Sequence, residues 1–320
     1  MAVSAGLSLF VGLRPLPAST VMATIMAGPD AGLEWTHIVY HLRLPRTVLA
    51  TLTGASLAVA GALAQTWTRN PLAGPGFIGI TSGAGCAVSV GLTLGAAQSM
   101  GSISVLALIG AAVAAVIVLL AARAAGGTGD PTTLILSGLG VTAALSALTS
   151  LLTISSTRVL DGIRRWTVGS TFGWGSDEIV VALVGLIIGA IIAIAVARPL
   201  DLLAMGEETA TTLGARPVAT AFLAAVGIVI LAGTATAAVG PVAFVGFAAP
   251  HIVRLLIGPG LTTSLVPVVL TGGFITLIAD MVGRVIVAPS ELEMSIILAI
   301  VGAPILIWVV KRAGMRGEAR

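Results

Sequence analysis

Side chains able to do chemistry are scarce in this chain, so the few with suggestive spacing stand out. Asp280 and Arg284 are four residues apart in an apolar run, which puts them on one face of a helix. An ion pair is the plain reading. A buried carboxylate of this kind is also what an ion-coupled carrier would need. His37 and His41 have the same spacing and could share a metal ion; a position on an interfacial surface is the simpler account. His251 is a lone imidazole among apolar residues and reads as a hydrogen-bonded structural histidine. Cys86 is the only cysteine, which rules out an intramolecular disulfide and leaves no cysteine metal site.

Other chemistries lack their residues. A phosphate loop needs G-x-x-x-x-G-K-[ST], but the only lysine, Lys311, is followed by Arg312. No Ser/His/Asp arrangement or paired-carboxylate motif stands out. The expectation is a protein that is not itself an enzyme, with no metal or cofactor of its own. No basic stripe with interleaved aromatics occurs, so nucleic acid is not an expected partner. Any work done against a gradient would need energy from a partner or an ion.

The elements that must position these residues follow from composition. The chain has 320 residues, 57% hydrophobic and only 9% charged, with mean hydropathy +1.10. Ordinary globular domains carry about 25% charged residues. A soluble helical core cannot hide this much apolar surface, and the long uncharged runs lack the ten-residue alternation of a barrel. The expected fold is an all-α polytopic membrane protein, read as one transmembrane domain over 1–320.

Ten crossings are expected. Residues 1–13 are apolar but short, and they lack the basic start of a cleavable signal peptide. Residues 14–42 read as an outer loop leading to an interfacial segment at 35–42. The second crossing is 47–65. Residues 70–122 carry no charge and must hold two crossings, at about 77–97 and 103–122. The fifth is about 132–154. A polar loop at 155–178 precedes the sixth, 179–197, which Pro199 should stop. Residues 217–253 hold two more crossings, broken around 234–241. The ninth is about 265–284 and the tenth about 294–310.

With both ends cytoplasmic, nine of the 16 basic residues lie inside and seven outside, a weak positive-inside bias. The seven are Arg14, Arg43, Arg46, Arg158, Arg164, Arg165 and Arg284. Gly74-Pro75 after the second crossing and Gly240-Pro241 after the seventh suggest an inverted repeat of helices 2–5 and 7–10.

Residues 43–85 organise the chain. Arg43-Leu44-Pro45-Arg46 opens it, followed by Gly54-Ala55-x-Leu57-Ala58, Gly61-Ala62-x-x-x-Gln65, Asn70-Pro71-Leu72-Ala73-x-Pro75 and Gly79-x-x-x-Gly83-Ala84. Later come Glu208-Thr209-Ala210-x-x-x-Gly214, Gly240-Pro241-x-x-Phe244-Val245-Gly246-x-x-x-Pro250-His251-x-x-Arg254, and Glu291-Leu292 followed by Gly302-Ala303-Pro304. Together these resemble the permease family of type II ABC importers for iron-siderophores, haem and vitamin B12. Glu293 stands where that family has a proline.

The resemblance implies a permease in the cytoplasmic membrane of a bacterium, most consistent with a ferric siderophore, with haem and cobalamin as alternatives. It implies a second permease copy or relative, two ATPase subunits that bind ATP-Mg, an extracytoplasmic binding protein, and surrounding lipid. The pathway would run between two permeases along helices five and ten. Residues 200–216 would be the cytoplasmic coupling segment, with Leu203, Met205, Glu207, Glu208, Ala210, Leu213 and Gly214 against the ATPase. Within it, Leu202, Met205, Thr209 and Leu213 form an apolar stripe at helical spacing. Arg43, Arg46 and Arg284 would face acidic residues of the binding protein. Thr132 and Thr133 would form the inner gate. Asn70, Pro71, Pro75, Gly83, Pro241, Gly246, Pro250, His251 and Pro304 would be structural. The rival readings are an ion-coupled secondary transporter, with Asp280 as its one acidic candidate inside a helix, and a membrane scaffold.

Overall fold

A computed structural model of the chain describes residues 1–12, 14, 16–32, 34–126, 131–171, 175–287 and 290–317, with the side chains of 131 and 308–317 outside that description. Thirteen α-helices are described and no strand: α1 Ala2–Phe10, α2 Ala18–Ala27, α3 Leu44–Trp67, α4 Ile80–Thr93, α5 Met100–Ala124, α6 Pro131–Ser155, α7 Thr157–Thr167, α8 Ser176–Ala204, α9 Glu207–Thr212, α10 Pro217–Val239, α11 Val245–Ile257, α12 Leu261–Gly283 and α13 Met294–Gly317. Among the described residues, six helices are long and apolar enough to cross a membrane. The others are shorter apolar helices, α2, α4, α11 and the described part of α13, together with α1, α7 and α9.

The central pillar is α3. A π-helix, His37–Arg43, runs straight into it, so the span extends from His37 to Trp67, 31 residues. The interfacial segment expected at 35–42 is thus the outer end of this span. Its apolar window is 83% buried, against 11% for α6. Small residues explain the difference. Gly54 meets Gly272 of α12 and Gly61 meets Gly246 of α11, so closely that a Cβ on Gly61 would lie 1.7 Å from the Gly246 carbonyl oxygen. Backbones can approach this far only where no side chain intervenes.

Several boundaries differ from expectation, each for a local reason. Thr167 closes an amphipathic helix in the segment read as a polar loop: Val159, Gly162, Ile163 and Trp166 form a buried i, i+3, i+4, i+7 face of α7. The sixth crossing does not stop at Pro199. Helix α8 runs on to Ala204, where Leu200 is 1% exposed and packing outweighs the lost hydrogen bond. The break in 217–253 falls where expected, at Gly240 near the end of 234–241, and α10 is uninterrupted from Pro217 to Val239.

The two Gly-Pro segments share a local geometry. Gly79 (φ 74°) starts α4 and Phe244 (φ 68°) starts α11, both in the left-handed region. Each shortened helix, 14 and 13 residues, therefore follows a break in direction.

Candidate functional site

One end of the bundle is built around α9. Gly206 (φ 118°) and Gly214 (φ 87°) bracket it in conformations that favour glycine, and its own Ala210 is fully buried. Glu207 and Glu208 occupy its first turn, where the helix dipole favours negative charge. Leu202 and Leu203 are half-buried, whereas Met205, Thr209 and Leu213 are exposed. The expected stripe is thus mostly bare on this end of the chain.

Two contacts tie this end to the bundle. The Asp201 carboxylate accepts from the amides of Leu261 (2.7 Å) and Thr262 (3.0 Å) and from the Thr262 hydroxyl (2.6 Å), capping α12. The Arg69 guanidinium donates to the Leu203 carbonyl. Thr132 and Thr133 lie in the first turn of α6.

At the opposite end of α3 and α12 four charged groups meet. The Arg46 Nε donates to Asp280 Oδ1 at 2.8 Å, and its Nη1 pairs with Glu291. Arg284 Nη2 pairs with the other Asp280 oxygen, and Thr171 Oγ1 donates to Asp280 Oδ1 at 2.7 Å. Two cations and two anions balance, as a charge cluster beside hydrocarbon requires.

The side chains of Arg43, Arg46 and Arg284 are not presented to water as the docking reading expected. They are buried, at 5%, 7% and 2% exposure. Helix α1 and the residues after it supply the reason. Arg43 donates to the carbonyls of Leu9 (2.7 Å) and Arg14 (2.7 Å), and Arg284 to those of Ser8 (3.1 Å) and Val11 (3.2 Å). The unpaired carbonyls at the end of α1 thus find cationic donors.

The motif residues sit at helix breaks and close contacts. Asn70 Oδ1 accepts from the Leu72 amide at 2.9 Å, making the turn that Pro71 enforces. Pro75 lies against Gly246, Gly83 against Gly110, and Pro241 against Gly169. Pro250 is buried in α11, and His251 stacks on Phe247 with centroids 5.6 Å apart. Pro304 lies within α13. His37 and His41 stack at 5.4 Å on an exposed face, and among the described residues no group of three metal-ligating side chains forms.

A cavity of about 450 Å³ lies at the two breaks, bounded by Pro75, Ile80, Thr167, Thr236, Phe244 and Ser295. Sequence reasoning missed three contributors to these sites. Asp201, Arg69 and Thr171 act on partners 60, 134 and 109 positions away, and spacing in sequence carries no signal of that.

Comparison with known proteins adds the following. Residues 1–312 match the FecCD transport family. The ferric enterobactin transport system permease protein FepD of Escherichia coli (strain K12) is 39% identical, over 97% of this chain and 92% of its own. The Fe(3+) dicitrate transport system permease protein FecD of the same strain is 34% identical, over 96% and 94%. A solved ABC transporter described as of metal-chelate type, in an inward-facing conformation, superposes with TM-score 0.82 at 26% identity, covering 97% of this chain and 95% of that one.

Proposed function

The chain belongs to the FecCD transport family, and from that premise we propose that it is the membrane-spanning subunit of a binding-protein-dependent ABC importer for a ferric siderophore. The observation that carries the reading is the inner end. Helix α9 turns its own Ala210 into the bundle, fully buried, while Met205 and Leu213, which flank the helix, stay 69% and 59% exposed. A short acidic, threonine-rich helix flanked by two exposed apolar side chains, at one end of the bundle, suits a protein partner. That partner is a separate ATPase subunit, since this sequence holds no phosphate loop.

The remaining assignments belong to the same proposal. Two permease copies or relatives and two ATPase subunits enclose a path along α6 and α13 in the cytoplasmic membrane of a bacterium. Leu203, Met205, Glu207, Glu208, Ala210, Leu213 and Gly214 couple to the ATPase, and Thr132 and Thr133 form the inner constriction. An extracytoplasmic binding protein docks over the outer ends of α3 and α12. For it to meet Arg43 and Arg284 directly, α1 must move aside, because α1 carbonyls hold both side chains.

Asp280 argues against an ion-coupled carrier, because two arginines already neutralise it. The test is uptake by the complex of this chain with its ATPase and binding protein, reconstituted in liposomes. ATP-dependent accumulation of an Fe(III) siderophore is the expected result. Accumulation by this chain alone without ATP would overturn the reading.

A further inference from the structure

Helix α7 holds charge that neither the coupling segment nor the buried ion cluster uses. Arg158, Asp161, Arg164 and Arg165 are exposed on one face, and the opposite face packs on α4. No ion pair is formed by these four among the described residues, so the face is net positive.

The position of α7 is unusual for such charge. At Gly162 it meets Leu92, in the last turn of α4; at Trp166 it meets Gly85, seven residues back along α4. Seven residues of helix are about 10 Å, so α7 turns back into the bundle from the outer end. Its far end is pinned there. The Ser295 hydroxyl of α13 donates to the Val168 carbonyl, and Gly169 packs against Pro241. Thr167, two residues after Arg165, borders the 450 Å³ cavity.

Guanidinium groups on a re-entrant helix cannot face lipid tails and must face water. Helix α7 is continuous in space with α6, the least enclosed span, and touches α13 through Ser295. Those two helices are the walls of the path in the function proposed above, on which this inference rests. With α6 and α13 as the walls of a path between two copies, the exposed side of α7 would look into its outer mouth.

We propose that Arg158, Arg164 and Arg165 form a charge filter at that mouth, favouring Fe(III) chelates that keep a net negative charge. Catecholate and carboxylate chelates are of this class; trihydroxamate chelates are neutral. Like charges lining a low-dielectric opening concentrate counter-charged ligands there. Two copies bring six arginines to one opening.

The test uses the full complex in nanodiscs of uncharged lipid, without binding protein, and reads chelate binding by fluorescence quenching. The probes are an Fe(III) tris-catecholate and a neutral Fe(III) trihydroxamate. Wild type should prefer the anionic probe by roughly tenfold, within the range such focusing gives. That preference should shrink as salt rises toward 1 M, where the Debye length falls to about 3 Å. The triple variant Arg158→Gln/Arg164→Gln/Arg165→Gln should lose the preference, and the triple Lys variant should keep it. An unchanged preference in the Gln variant overturns the filter. So does a loss seen only when anionic lipid is present, which would assign the arginines to headgroups. Uptake of a ferric chelate by wild-type proteoliposomes, with the Gln variant still charge-selective, refutes this inference alone. A wild-type complex that carries no ferric chelate refutes the function and this inference together.

Discussion

Arg46 and Asp280 lie 234 positions apart in sequence and 2.8 Å apart in space, both buried. The contact locks the outer end of α3 to the outer end of α12. Asp280 also holds Arg284, so one carboxylate neutralises two guanidinium groups with help from Glu291.

Asp280→Asn should therefore destabilise the protein by about 3 kcal/mol, the typical cost of leaving a buried charge unpaired. A lower unfolding temperature in detergent reads this out. The double variant Asp280→Asn/Arg284→Met should recover part of the loss, because it removes the stranded cation. Binding-protein affinity gives a second reading. If docking uses Arg284, Asp280→Asn should leave affinity equal or higher, since the arginine is freed from its partner.

Gly61→Ala adds one methyl group where the Gly246 carbonyl leaves no room. Both groups are backbone or Cβ, so neither can rotate away. Overpacking of this kind costs about 1–3 kcal/mol or more. Thermal unfolding should show it, and Gly6→Ala, with open space around it, should be neutral by the same assay.

Gly214→Arg has a different expected signature. Nothing lies within 4 Å of a Cβ at this position, so the bundle itself should fold. The left-handed φ of 87° and the added bulk would distort the end of α9. Substrate-stimulated ATP hydrolysis by the purified complex should fall to its basal level while the unfolding temperature of the spans stays unchanged. Full stimulation would remove α9 from the coupling role.

Cysteines at Thr132 and Thr133 report on the inner constriction. In a closed state of the dimer they should crosslink between copies, as judged by a reducible dimer band. Failure in both nucleotide-free and nucleotide-trapped complexes would put the gate elsewhere.

Much of this was legible in the sequence because apolar runs and their interruptions are one-dimensional signals. The breaks at Gly74-Pro75 and Gly240-Pro241 could be read from local chemistry. Helix α7 reads as a loop in sequence because Arg158, Asp161, Arg164 and Arg165 interrupt the four residues, Val159, Gly162, Ile163 and Trp166, that form its buried face. The fate of the three arginines was hidden for another reason. Whether Arg43 faces water or Leu9 depends on where α1 folds back, which no spacing records. Asp201 was missed likewise: it caps a helix that begins 60 residues later.

The pillar α3 is fastened at both ends, to α12 through Arg46 and, just beyond its inner end, to the tail of α8 through Arg69. Between them, Gly54 and Gly61 bring it into backbone contact with α12 and α11. At 31 residues, about 46 Å of helix, the span also exceeds a bilayer core of about 30 Å. Such a rod has no slack with which to flex. In the proposed importer such a keel would pass a push at one face to the other as tilt of the whole frame, and the outer planks, α6 above all, would be the surfaces that slide.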